Sequence, residues 1–246
     1  MKRTLQTRGH CQVCDTRSVS RKQLLGASCV ASTAYLVLAL LAAHSGVFLF
    51  EQRTRSAVTL AHGPALDGVM RAVSLLGDGW GLIPLIVLGS AALWQRHRAW
   101  AAALPPIMLG TWALQWAAKW TTDRPRPNMA PLGFPSGHVL SLVVLFGLAS
   151  YLLCRVRSDR AARALGICCA STMLVMVAAS RLYLEAHWIL DVAGGFLLGL
   201  AYLMALIWVA EMRAERASIP VAEPAIVPEP AAGRERAAAA PIVPSL

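Results

Sequence analysis

Charge is scarce in this chain. Only 15% of its 246 residues are charged, and the acidic ones are the scarcer half, 13 against 23 Lys and Arg. A soluble domain is typically about 25% charged and about 45–50% apolar; here 57% of residues are hydrophobic and the mean hydropathy is +0.54. Too little polar surface remains to cover a water-facing globule. That excludes an ordinary soluble enzyme, and it excludes disorder for all but the ends. A secretory cysteine framework is missing too. Of Cys11, Cys14, Cys29, Cys154, Cys168 and Cys169, four lie in or beside apolar stretches, where Cys packs as a small hydrophobe, so no structural disulfide is expected. Cys11 and Cys14 form a CxxC beside His10, but a structural zinc site needs four ligands and no second pair lies near. There is no internal repeat and no Gly-rich nucleotide loop. The net charge of +10 would suggest nucleic acid in a soluble protein; here the placement of the charges matters more, and no nucleic-acid partner is expected.

What the chain does have is long uncharged runs. A membrane-spanning helix needs about 20 mostly apolar residues, with a range of about 17–25. No charged residue lies between Lys22 and Glu51, and residues 24–43 form the apolar centre of that stretch. It is too long for the apolar region of a cleavable signal, about 7–15 residues, and is expected to be a retained span. Further runs lie at 79–95, 99–118, 139–154, 164–180 and 192–210. The expected fold is therefore all-α, a six-transmembrane helical bundle. Leu66, Val69, Met70 and Val73 repeat at helical spacing after Gly63-Pro64; this predicts an amphipathic interfacial helix between spans one and two. Three regions follow: a cytoplasmic N-terminal segment over 1–23, the six-span domain over 24–211, and a disordered Pro/Ala-rich cytoplasmic tail over 212–246. The tail carries six prolines from Ala217 onward, among Ala, Glu and Arg.

Basic residues orient the bundle, because Lys and Arg accumulate in cytoplasmic loops. With both termini inside, sixteen of the 23 are cytoplasmic, including Arg96 and Arg98 in one short loop and Arg155, Arg157, Arg160 and Arg163 in another. Seven remain outside: Arg53, Arg55, Arg71, Lys119, Arg124, Arg126 and Arg181. An inner (plasma) membrane location with cytoplasmic termini is expected.

This orientation brings three polar segments to the outer face. Lys119 ends span three and is followed, through Asp123-Arg124-Pro125, by Arg126-Pro127; Pro135-Ser136-Gly137-His138 precedes span four; Ser180-Arg181 closes span five, and His187 and Asp191 open span six. Lys119, Arg126 and Arg181 suit tetrahedral phosphate oxygens, the forked Arg donors especially. Ser136 and Gly137 offer a hydroxyl and the free N–H groups of a helix N-terminus. A neutral His187 can attack phosphorus, while Asp191, one turn along the same face, accepts the second ring N–H and stabilises the developing imidazolium. His138 is left as the general acid for the departing oxygen. Taken singly, each residue has an ordinary reading: Lys119, Arg124 and Arg126 as headgroup anchors, Ser136 as a helix cap, His187 as an interfacial imidazole. Asp191 is harder to place that way, since a carboxylate in a span costs about 2.5–3.5 kcal/mol at the bilayer centre and less near its edge. Glu185, His187, Asp191 and His138 would suit a metal by residue type, but three neighbouring cations would repel a divalent ion, so no metal and no cofactor is expected.

These segments resemble the signature of the type-2 phosphatidic acid phosphatase superfamily, which also includes the vanadium haloperoxidases. Its pattern K-x6-R-P, P-S-G-H and S-R-x5-H-x3-D matches Lys119 through Arg126-Pro127, Pro135 through His138, and Ser180-Arg181 through His187 to Asp191. The resemblance covers residues 24–210. It implies that His187 forms a phosphohistidine, that Asp191 orients it and that His138 protonates the leaving group. It also implies that Lys119, Arg126, Ser136, Gly137 and Arg181 hold the phosphate, with Arg124 and Ser180 as assisting residues. The implied activity is hydrolysis of a lipid phosphomonoester or pyrophosphate at the outer leaflet; members act on isoprenoid pyrophosphates, phosphatidate, phosphatidylglycerol phosphate or lipid A. A phosphotransferase using an acceptor other than water is the nearest alternative. A non-catalytic lipid or anion transporter would not need both His138 and the His187–Asp191 pair. Gly195 and Gly199 form a GxxxG on span six, the single feature in favour of an assembly role, and such motifs more often pack a helix of the same bundle. The lipid itself and the oligomeric state are left open by the sequence.

Overall fold

The computed structural model describes residues 20–44 and 46–218, and among them every regular element is helical. In chain order these are α1 (Arg21–His44), α2 (Leu49–Thr59), α3 (Pro64–Ser74), a 3-10 turn (Leu75–Gly77), α4 (Gly79–Trp94), α5 (Arg98–Thr122), α6 (Gly137–Val156), α7 (Arg160–Tyr183) and α8 (Ile189–Ser218). The CxxC of Cys11 and Cys14 and the tail beyond Ser218 lie outside the described residues.

Helix α6 is the central post. Val139, Leu140, Leu142, Val143, Val144 and Leu145 are all buried, and α6 packs against α5, α7 and α8. One apolar cluster joins Leu104 and Met108 of α5 to Leu142, Leu145 and Leu148 of α6 and to Leu203 and Ile207 of α8. A second joins Tyr35 of α1 to Phe134, Leu140 and Leu198 nearer the site. The outer surface is apolar as well: Val30, Leu40, Trp80, Val87, Leu109, Leu165 and Val175 are all exposed. A band of this kind on a folded protein calls for a partner phase, here the bilayer.

The expected helices form, with three differences. Four of them, α1, α6, α7 and α8, are individually long and apolar enough to cross a membrane; α5, though 25 residues long, is not among them, so the described residues give four or five such spans rather than six. The run at 79–95 yields only a 16-residue helix, and it reaches spanning length only together with α3, across a 51° bend at Gly77-Asp78-Gly79. Secondly, α2 was not foreseen, because Glu51, Arg53 and Arg55 break up its apolar pattern. Thirdly, α8 continues beyond residue 211, so residues 212–218 are helical rather than part of an unstructured tail. This extension is held in place at its far end by Glu215, which pairs with Arg21 of α1.

The GxxxG of α8 serves packing within the bundle. A Cβ on Gly195 would overlap the Ser136 carbonyl oxygen, and one on Gly199 would crowd the Leu140 carbonyl and Val143. Gly194 gives the same room to the Phe134 ring. These glycines let the start of α6 rest on α8 and so bring the P-S-G-H segment to Asp191.

Candidate active site

Each motif segment is positioned by local backbone chemistry. Helix α5 ends where Asp123 turns left-handed (φ 39°), and the chain leaves as Arg124-Pro125-Arg126-Pro127. This loop is fastened from within. Lys119 Nζ donates to the Leu132 carbonyl at 2.6 Å, Gly133 N to Arg124 O at 2.6 Å, and the Thr122 hydroxyl to Phe134 O at 3.1 Å. Ser136 is the N-cap of α6, and its backbone N–H donates to the Asp191 carbonyl at 2.8 Å, joining the second motif to the third. Asp191 caps the start of α8, where its Oδ2 accepts from Trp188 N at 2.9 Å.

The structure gathers the residues expected to make a site. His187 Nδ1 lies 3.5 Å from Asp191 Oδ2, an ion-pair distance rather than a formed hydrogen bond. Arg181 and Lys119 are within electrostatic range of His187; Arg181, His187, Arg126 and Lys119 are all within range of His138. Gly137 is pressed against Gln115 so closely that a Cβ would collide with the amide oxygen. Buried donors in this cluster lack a protein acceptor: Arg126 Nε and Arg181 Nε, with the Ser136 hydroxyl likewise unpartnered. Buried polar groups are normally hydrogen-bonded. A concentration of unpartnered donors is the electrostatic outline of an anion.

His187 is almost fully buried in the loop between α7 and α8. Burial pushes its pKa down to about 4, against the pull of Asp191, so the imidazole is neutral at pH 7, the form that can act as a nucleophile.

Two expected assisting residues are engaged elsewhere. The Ser180 hydroxyl donates to Val177 O within its own helix. Arg124 turns away from the other cations into a buried ion cluster: Nη1 donates to Asp191 Oδ1 at 2.9 Å, and Nη2 to Glu51 Oε2 at 2.5 Å and to Gly46 O at 2.8 Å. Glu51 also accepts from Leu190 N at 3.3 Å. Burial opposes the charge on Arg124, but Glu51 and Asp191 outweigh it and hold the guanidinium above its ordinary pKa. Glu185, with φ of +50°, is taken up by Arg55 at 2.7 Å and by Thr59, and the Arg55 hydrogen bond holds its carboxyl below the usual range.

Three residues with contacts to the site escaped the sequence reading: Glu51, Ser74 and Asp78. Ser74 Oγ accepts a hydrogen bond from Arg181. Asp78 Oδ1 lies 2.8 Å from His138 Nε2, at ion-pair distance but without hydrogen-bond geometry. No motif spacing announces them. A lone Glu soon after an apolar run was the only available signal for Glu51.

Beside His138 a groove of about 870 Å³ opens between α4, α5 and α6. Leu82, Ile86, Met108, Leu109 and Trp112 line it, with Asp78, Gln115 and His138 among its polar residues.

Fold and site together define a helical protein with membrane-spanning helices, in which Lys119, Arg126 and Arg181 gather within range of His138, and Lys119 and Arg181 within range of His187. Residues 100–215 match the sequence profile of the PAP2 superfamily. The chain is 30% identical over 174 residues to phosphatidylglycerophosphatase B of Bacillus subtilis (strain 168), a match covering 68% of this chain and 86% of that protein. A crystal structure described as the first transmembrane PAP2 type phosphatidylglycerolphosphate phosphatase from Bacillus subtilis superposes with a TM-score of 0.69 at 25% identity, covering 75% of this chain and 96% of that one. The fold is shared as well with LpxE of Aquifex aeolicus, with a TM-score of 0.52 at 20% identity over 66% of this chain and 96% of that one. The chain belongs to the PAP2 superfamily.

Proposed function

We propose that this PAP2 member, a phosphoric ester hydrolase of membranes, removes the terminal phosphate of a lipid at the outer face through a phosphohistidine. The observation that carries the reading is that Lys119 and Arg181 lie within range of His187, which Asp191 backs, while Arg126, Arg181 and Ser136 keep unpartnered polar atoms. In this reading Nδ1 of His187 faces Asp191, which leaves Nε2 to attack phosphorus. Lys119, Arg126, Arg181, the Ser136 hydroxyl and the N–H groups at Gly137 hold the oxygens on which charge grows. His138 gives its proton to the leaving oxygen and then, as a base, activates the water that cleaves the N–P bond. Asp191 stabilises the imidazolium that forms as His187 attacks.

The groove supports a lipid substrate. It leads from His138 along apolar side chains of α4 and α5, where an acyl or isoprenyl chain can lie while its phosphate reaches the cations. The name of the Bacillus subtilis relative makes phosphatidylglycerol phosphate the first substrate to test. Purified protein is expected to release phosphate from one or more of phosphatidylglycerol phosphate, phosphatidate and an isoprenoid pyrophosphate, and to do so in excess chelator. Activity abolished by chelator and restored by a divalent ion would sink the phosphohistidine mechanism.

We also propose six spans: α1, α4 with the α3 segment at its outer end, α5, α6, α7 and α8. Both ends of α3 meet the outer end of α7, through Tyr183 to Asp67 at 2.6 Å and through Arg181 to Ser74; this supports α3 packing across the outer end of α7, inclined to α4 by the 51° bend. With Arg96, Arg98 and the Arg155–Arg163 loop cytoplasmic, a reporter inserted at residues 128–131 is expected outside and one at 158–160 inside. The opposite labelling would move the site to the inner leaflet.

A further inference from the structure

Charge is distributed unequally between the two sides of the reacting phosphorus. The side that holds the transferred phosphoryl group collects Lys119, Arg126 and Arg181. The leaving-group side is the mouth of the groove, where the titratable lining residues are Asp78 and His138, and no Lys or Arg is among the lining side chains. Asp78 is half-exposed at that mouth, with Oδ1 2.8 Å from His138 Nε2. It does not sit there loosely. A Cβ on the preceding Gly77 would overlap the His138 ring, so the 3-10 turn rests directly on the imidazole. Ser74, at the other end of the same turn, is bonded to Arg181. The groups within range of His138 are thus Arg181 of α7, His187 of the following loop, Lys119 of α5 and Arg126 of its loop, together with Asp78, which is itself within range of Arg181.

Resting on the phosphatase reading above, we propose that Asp78 makes the site selective for lipid phosphomonoesters, whose leaving group is a neutral alcohol, over lipid pyrophosphates, whose leaving group is a second phosphate. In the monoester reaction His187 Nε2 forms the N–P bond and the P–O bond to the lipid breaks. The electron pair stays on the lipid oxygen, which takes the His138 proton and departs as an alcohol. An alkoxide is a poor leaving group and depends on that proton. Asp78, 2.8 Å from Nε2, balances the charge of the imidazolium when His138 carries the proton. With a pyrophosphate, the departing group is itself a phosphate carrying about −1.5 to −2 charges at pH 7, and it must leave past the Asp78 carboxylate, where Arg181, the cation within range of Asp78, is already engaged with the transferred group. Like charges at such range repel, and solvent at the half-exposed Asp78 screens part of that repulsion. Intrinsic reactivity runs the other way, since phosphate leaves more readily than alkoxide. A preference for the monoester would therefore be the work of the protein.

The test compares the full-length protein on an isoprenyl monophosphate and on the pyrophosphate of the same chain, in the same detergent, by kcat/KM. Wild type is expected to favour the monophosphate at least about tenfold. Asp78→Asn is expected to lower monophosphate turnover and raise pyrophosphate turnover, so that the ratio falls by about tenfold or more. Asp78 is the N-cap of α4, a position that Asn and Ser both suit, so Asp78→Ser serves as a second variant should the first not fold. A wild type that prefers the pyrophosphate overturns the proposal. So do variants that lose both activities in equal proportion, because a merely structural role predicts that. Release of phosphate from neither lipid by wild type would instead bring down the phosphatase reading itself.

Discussion

His187→Ala is expected to reduce phosphate release to background and to leave no acid-labile phosphoenzyme, because the attacking atom is gone while the anion pocket remains. His138→Ala is expected to behave differently. Loss of a general acid typically costs about 10²–10⁴-fold, but the nucleophile is intact, so phosphohistidine should still be trapped in a rapid quench. The defect should also shrink on an aryl phosphate whose leaving oxygen needs no proton. Asp191→Asn should lower turnover irrespective of leaving group, since it disturbs His187 rather than the departing oxygen. The His187 imidazole sits at about pKa 4 through burial, so protonation of the nucleophile should not limit kcat/KM until the pH falls well below 6. Near-normal phosphate release by His187→Ala would overturn His187 as the nucleophile, and a wild type that binds lipid phosphate and never cleaves it would turn the reading towards a transporter.

Arg124→Ala should produce the largest combined loss of stability and activity outside the signature positions. Glu51, Arg124 and Asp191 are each 2% exposed or less. Removing the cation leaves two carboxylates in one buried space, and breaking a buried ion pair from one side typically costs about 3–5 kcal/mol. The Asp191 carboxylate then loses the guanidinium that fixes Oδ1, and misplacing a catalytic group by about 1 Å can cost about 10²-fold. A lower melting temperature in detergent and a loss of kcat of that order are the expected results. The double variant Glu51→Gln with Arg124→Met should separate the two effects. It removes the buried charge mismatch and should recover much of the stability, yet not the activity, because Asp191 stays unanchored. Full activity in Arg124→Ala would show that Asp191 holds His187 without help. Arg124→Lys is not expected to rescue, since a single ammonium cannot bridge Glu51, Asp191 and Gly46 O as the planar fork does.

The long helices and the site were legible in the sequence to different depths and for different reasons. Long apolar runs free of charged residues announce α1, α6, α7 and α8, because a chain in lipid must satisfy its backbone within each segment. The pairing of His187 with Asp191 follows from i, i+4 spacing, which is local geometry. Arg124 shows where local reading stops. It lies two residues from Arg126 in the same Pro-flanked stretch, and by residue type both suit a phosphate. In the folded chain Arg126 stays within range of Lys119 and Arg181 while Arg124 is drawn to Glu51, 73 residues earlier.

By itself, then, the sequence determined the solvent, the helical class, the three motif segments and the local relation of His187 to Asp191, since all of these depend on composition and on spacings of a few residues. Only the tertiary structure decided that α3 and α4 meet at a 51° bend, that Glu51 neutralises Arg124, and that Ser74 and Asp78 close the site from a turn far from every motif. Those contacts join residues tens of positions apart, on elements whose own patterns carry no mark of the partner. They exist because buried charges and polar groups must find a counterpart wherever packing brings one within reach.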